Sequence, residues 1–145
     1  TPAVNLSCAF CLDPNATPFT TTDFILMATS SDGCVGLDTV IVRVRKSEAA
    51  VYIPNAFSPN DDGINDYLTV YGNRSVKQID KLSIFSRWGD LVFEETVFMP
   101  NEALHGWDGT FHNKPVQTGV FTWIAEVRFL DDEVERYSGD ITLIR

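Results

Sequence analysis

Residues 51–71 read VYIPNAFSPNDDGINDYLTVY, and how this stretch folds decides how the rest of the chain is read. It begins as a strand, breaks at Pro54 and Pro59, passes through an acidic loop and re-enters a strand at Tyr67. The loop, SPNDDGIND at 58–66, holds Asn60, Asp61, Asp62, Asn65 and Asp66 within nine residues. Two kinds of chemistry use such a density of side-chain oxygens. Asn and Asp bond nearby backbone amides in turns, Pro59 fixes φ, and Gly63 supplies φ > 0. The same oxygens suit a hard cation. With Gly63 in the glycine place of an EF-hand-like loop, Asn60, Asp62 and Asp66 fall on ligand places and Ile64 offers its carbonyl, so these four form a candidate Ca²⁺ site. The pattern is incomplete, since Ser58 stands where an Asp is expected and Thr69 where a bidentate Glu is expected. Calcium is the single cofactor the sequence suggests.

Downstream, strands are expected at 67–71, at 81–87 and at 91–94, the last two joined at Trp88-Gly89-Asp90, where Gly89 can hold a left-handed turn. Gly106-Trp107-Asp108-Gly109 reads as a backbone turn with a Trp plugged into the core and an Asp bonding loop amides. Phe121, Trp123, Ala125, Val127 and Phe129 alternate with Thr122, Ile124, Glu126 and Arg128, which predicts a strand with one wholly apolar face. The last strand runs from Val134 towards Ile144, with Tyr137, Gly139, Ile141 and Leu143 on one face. No segment of ten or more residues has helical period. The expectation for this part is an all-β, Ig-like antiparallel β-sandwich of about seven strands.

Upstream, residues 1–22 read as loop, 23–29 (DFILMAT) as a strand, 30–33 (SSDG) as a turn, and 38–46 as a half-buried strand. Because an isolated hairpin is marginal in water, further strands are expected to precede it. All three cysteines lie here: Cys8, Cys11 and Cys34. Zinc would need a second ligand pair, and a thioredoxin-like CxxC would start a helix in a βαβ pattern. A Cys8–Cys11 disulfide in an exported domain is the preferred reading, with a partner for Cys34 expected upstream. Thr1 is not an initiator residue, which reads as an excised or processed piece.

At 44% hydrophobic the chain can pack a core, and no apolar run approaches the roughly 20 residues of a membrane helix. The net charge of −9 is uneven: residues 1–46 hold three basic and four acidic side chains, residues 47–145 eight and sixteen. That acidity argues against nucleic acid and anionic lipid, and fits a cation or a basic protein partner. Catalysis finds little support. His105 and His112 flank the GWDG turn as polar loop residues, no GxSxG elbow exists, and the acids are scattered. Trp88 and Trp107 read as core or turn plugs rather than as a sugar-stacking platform.

From about residue 52 to residue 145 the chain resembles the type IX secretion system type B C-terminal domain, also called the gliding-motility-associated C-terminal domain. The resemblance is carried in order by IPNAFSPN at 53–60, DGIND at 62–66, FSRWG at 85–89, GWDG at 106–109 and YSGDITLIR at 137–145. Asp61 stands where such domains often have Gly, and Asn113-Lys114 lacks the usual Gly of its turn. LSC at 6–8, TTDF at 21–24, DGC at 32–34 and DTVIVRV at 38–44 resemble the closing strands of a PKD- or Ig-like repeat. The expected division is therefore 1–46 for the repeat's tail, 47–52 for a linker and 53–145 for the sorting domain. The resemblance implies an export signal and surface-attachment domain of a large adhesin, not an enzyme, passing through the periplasm to the cell surface or extracellular space. Its implied partners are the outer-membrane translocon and a PorP/SprF-type membrane protein. Residues expected to meet them are Asp61, Asp62 and Asp66, the Arg87-Trp88-Gly89 turn, and Tyr137, Ile144 and Arg145 of the terminal strand. The runner-up is a Ca²⁺-dependent carbohydrate-binding adhesin module. A flagellar hook-capping-like Ig domain would share the GWDG turn but leave SPNDDGIND unexplained.

Overall fold

The structure, a computed structural model, describes residues 5–45 and 50–145. The chain divides into two units, Thr1–Ser47 and Glu48–Arg145. Part of the expected 47–52 linker lies outside the described residues.

The first unit is built on one antiparallel hairpin, β1 (Thr22–Thr29) and β2 (Val35–Val42), paired from Thr22↔Val42 to Thr29↔Val35. Side chains alternate across a strand. Phe24, Leu26 and Val40 therefore share one face, and Met27, Leu37 and Ile41 the other. Leu26, Met27, Leu37 and Ile41 are all more than half exposed. Cys8 and Cys11 are joined by a disulfide, with Cα atoms 5.9 Å apart, and Cys34 is an exposed free thiol.

The second unit begins with short pieces: β3 (Val51–Tyr52), β4 (Ala56–Phe57) and β5 (Tyr71–Gly72). Four long strands follow: β6 (Val76–Phe85), β7 (Leu91–Phe98), β10 (Gly119–Phe129) and β11 (Val134–Leu143). Between them lie a 3₁₀ turn at Ala103–His105, β8 (Thr110–Phe111) and β9 (Lys114–Pro115). The main sheet has the order β4-β11-β10-β6-β7, antiparallel except where β4 runs parallel to the end of β11. Two further two-stranded sheets, β3-β5 and β8-β9, lie outside it, and Val51, Ile53, Leu68, Val70 and Trp107 form a thinner second layer that packs against its core residues. The all-β class and sandwich arrangement follow the alternating pattern, but the second layer is not a full sheet.

The expected strand at 67–71 is accordingly corrected: only Tyr71 lies in a strand. Leu68 forms an isolated bridge with Trp107, exchanging amide bonds of 2.8 and 2.9 Å, and Val70's carbonyl accepts from the Asn101 amide. Backbone groups so used cannot continue a ladder. Leu68, Thr69 and Val70 are nevertheless fully buried.

Two contiguous clusters form the core. One gathers Val70, Val76, Ile79, Leu82, Phe98, Ala125, Val127 and Phe129. The other gathers Phe57, Leu68, Ile84, Trp107, Phe121, Ile141 and Leu143. The inward residues of β10 and β11 are those expected from alternation. Opposite Trp123 on β11 sits Gly139, and a Cβ there would lie 2.8 Å from Trp123 Cζ2, so the indole occupies the space a side chain would need. On β6, Asp80 is skipped in the pairing with β10, between Glu126↔Lys81 and Val127↔Ile79. The bulge turns Asp80 towards Arg128, whose Nε and Nη2 donate to its two oxygens at 3.2 and 2.6 Å. These bonds, with one from Gln78, hold the Asp80 carboxyl below its ordinary range.

Candidate functional site

Strand directions bring one set of loops to one end of the main sheet. β6 ends there and turns through 86–90 into β7; β10 starts there; β11 and the parallel β4 both finish there. The acidic loop leaves β4 at this end, the RWG turn joins β6 to β7, and Ile144 and Arg145 follow β11. These expected partner-binding segments therefore converge. Tyr137 does not join them. It pairs with Ala125 in mid-strand, packs against the core and donates its hydroxyl to Glu135 at 2.9 Å. The terminal strand is also not an outer edge along its whole length, since Thr142 and Leu143 pair with Ala56 and Phe57.

The acidic loop is closed by its own amides. Asp66 Oδ1 accepts from the amides of Asn60 and Asp61 at 2.9 and 2.8 Å, and Oδ2 from Gly63 at 2.7 Å. Desolvation pushes the Asp66 carboxyl up, but the amides of Gly63, Asn60, Asp61 and Asp62 outweigh it and hold the carboxyl below its ordinary value. Asp62 Oδ1 accepts from the Ile64 amide at 2.8 Å and Oδ2 from the Asn60 side-chain amide at 2.9 Å, while Asn60 Oδ1 accepts from the Asp62 amide at 3.1 Å. Asp61, at φ 61, and Asn65, at φ 54, are left-handed beside Gly63. Each oxygen that the EF-hand-like pattern assigns to a cation from Asn60, Asp62 and Asp66 thus already faces an N–H of the loop. Among the described residues, no three His, Cys, Asp or Glu side chains are grouped to hold a metal ion. As arranged, the donor set is that of an amide-bonded turn.

The GWDG turn anchors this end. Trp107 is fully buried, with its ring centroid 5.4 Å from Phe57 and 4.9 Å from Phe121, and its Nε1 donates to the Thr110 carbonyl at 2.8 Å. Asp108 Oδ1 accepts from the Thr110 amide and hydroxyl at 2.9 and 2.7 Å. Gly106 is required by close approach: a Cβ would stand 2.5 Å from the Leu68 carbonyl oxygen. Gly109, at φ 76, leaves room for Pro59 and Leu143, each 2.9 Å from where a Cβ would be. Arg145 donates from Nη1 to the Val116 carbonyl and from Nη2 to the Gly109 carbonyl at 3.2 Å. Terminal residue, GWDG turn and the start of the acidic loop are thereby packed together.

Trp88 corrects the expectation of a plug. It is 83% exposed on the 86–90 turn, where Gly89 is left-handed at φ 87 and the Ser86 hydroxyl accepts from the Trp88 amide at 3.2 Å. A shallow groove beside it is lined by Ser86, Arg87, Trp88, Gln117, Thr118 and Val120. Because Trp107 is buried and Trp88 exposed, the two do not form a common sugar-stacking platform. His105 stacks on Phe98 near Glu95 and Glu102, and His112 lies against Phe111.

No curated protein matches the chain. A family model does match, over residues 51–143, and its description is the CHU_C type IX secretion signal domain. The match spans the main sheet and its covering layer, together with the loops gathered at one end, so the chain belongs to the CHU_C type IX secretion signal domain family.

Proposed function

We propose that residues 53–145 are a folded export signal of a large surface adhesin, read at the outer membrane through one end of the main sheet. Family membership carries the general role: a signal that engages the type IX secretion machinery and directs export to the cell surface or extracellular space. The family is one of secretion signals and not of enzymes. The finer reading rests on one observation, the convergence of the 58–66 loop, the Arg87-Trp88-Gly89 turn and Ile144-Arg145 at a single end. There, Asp61 and Asp62 present acidic groups, Arg87 a cation and Trp88 a large apolar surface, the mixture that anchors protein interfaces. In this reading the partners are the translocon and a PorP/SprF-type membrane protein, and the route crosses the periplasm. Residues 1–46 are then the tail of a PKD/Ig-like repeat that precedes the signal.

The test is capture from a host that has the machinery. A reporter ending in this chain should co-purify with outer-membrane proteins, and Asp61→Lys/Asp62→Lys or Arg87→Glu/Trp88→Ala should abolish both capture and surface display. Unchanged capture by both variants, folded by circular dichroism, would refute the assignment of this end as the docking surface.

A further inference from the structure

The main sheet has two outer edges, and they are built differently. At one, β4 covers the end of β11. At the other, β7 pairs with β6, and among the described residues no second strand is hydrogen-bonded to it. Eight residues of strand span about 26 Å, and alternate residues turn their backbone groups away from β6 towards any further extended chain, while the Thr96 amide already donates to Glu95 Oε1 at 3.1 Å.

Three features restrict what can join it. Glu94 and Glu95 sit at the middle of β7, and adjacent residues point to opposite faces. In a twofold antiparallel pairing of β7 with a second copy centred on either residue, Glu94 or Glu95 of one copy falls across from the same residue of the other. Like charges directly opposite destabilise a strand pair, so self-pairing is opposed. Val97 has φ 50, a conformation β-branched residues avoid, and it ends the regular edge. The usable window is therefore 91–96. Within that window the strand carries two acidic side chains and no basic one. Glu94 takes part in an ion pair with Lys81 at 3.2 Å on one face, while Glu95, with Glu102, flanks His105 on the other. Exposed Leu91 offers apolar contact at the start of the window. The −8 carried by residues 47–145 steers the same class of ligand.

We propose that the β7 edge is a docking site for an extended basic segment of a partner protein, added as a further strand, and that Glu94 and Glu95 select that segment while excluding a second copy of this chain. The edge lies outside the loops assigned to export, and its test uses no secretion machinery, so either reading can fail while the other stands.

The probes are two blocked hexapeptides, LTKKTV and LTEETV, added to the full chain. Anisotropy should show saturable binding of the basic peptide and at least tenfold weaker binding of the acidic one, with a preference that shrinks in high salt. Amide exchange should slow within residues 91–96. Glu94→Lys/Glu95→Lys should invert the preference; should that variant misfold, Glu94→Gln/Glu95→Gln should erase it. Equal binding of both peptides, no binding of the basic one, or protection appearing outside β7 would overturn the proposal.

Discussion

Replacing Trp107 with Ala should come close to unfolding the second unit. Its side chain is fully buried between Phe57 and Phe121, and its indole N–H satisfies the Thr110 carbonyl. Truncating a buried Trp costs about 3–5 kcal/mol in lost transfer energy and cavity. The lost hydrogen bond adds about 1 kcal/mol. A domain of this size has about 5–15 kcal/mol in total. At about 4–8 °C per kcal/mol, a loss of about 4 kcal/mol lowers Tm by roughly 16–32 °C. Urea denaturation followed by far-UV circular dichroism reads this without relying on the removed chromophore, and the midpoint should fall by about 2 M. Trp88→Ala is the matched comparison: at 83% exposure it should change stability by no more than about 0.5 kcal/mol. A Trp107→Ala loss below about 1 kcal/mol would mean that the GWDG turn does not anchor the second layer, and the packing argument would fail.

Further outcomes follow from the same geometry. Gly139→Ala forces a Cβ to within 2.8 Å of the Trp123 ring and should cost about 1–3 kcal/mol, checked by the urea midpoint; a neutral result would show that the indole moves freely. Asp66 and Asp80 both titrate below their ordinary 3.8 in the folded chain. Their contribution is present above 3.8 and is lost as pH falls through the lower folded values. Urea midpoints should therefore be level down to about pH 4.5 and then drop, and Asp80→Asn should flatten that drop; an unchanged acid limb would contradict the Arg128 pairing. Calcium at millimolar concentration should leave Tm unchanged, because the loop oxygens already hold amides. A hundredfold excess over Kd would instead stabilise by about 2.7 kcal/mol, readily seen as a rise in Tm.

Much of the fold was legible because it is written in short-period patterns. The alternation from Phe121 to Phe129 gives β10 and its inward face directly, and GWDG gives both the buried Trp and the amide-bonding Asp. Tyr67-Leu68-Thr69-Val70 misled because burial and apolar alternation do not reveal who takes the backbone bonds. Here Trp107 and Asn101, far along the chain, take them. Trp88 misled for the converse reason: a glycine-containing turn next to an aromatic resembles the GWDG turn, yet nothing local says which side of the chain the ring leaves. Asp61 and Asn113 are both left-handed, at φ 61 and φ 60, and Asp and Asn are the side chains that best tolerate what glycine adopts freely. Convergence of the three segments proposed for docking was not legible, because it depends on β4 running parallel to β11, a two-residue contact with no sequence period. The calcium pattern was legible but incomplete, and the structure shows Asp66 serving the loop's amides.

The most direct measurement of the central claim, that a folded β module is itself the export signal, is the location of a reporter fused ahead of the Trp107→Ala chain in a host with type IX machinery. The unaltered chain should deliver the reporter to the surface or medium, and the Trp107→Ala chain should leave it in the periplasm at any temperature where the isolated variant is unfolded. Export of the unfolded variant at the unaltered level would contradict the account.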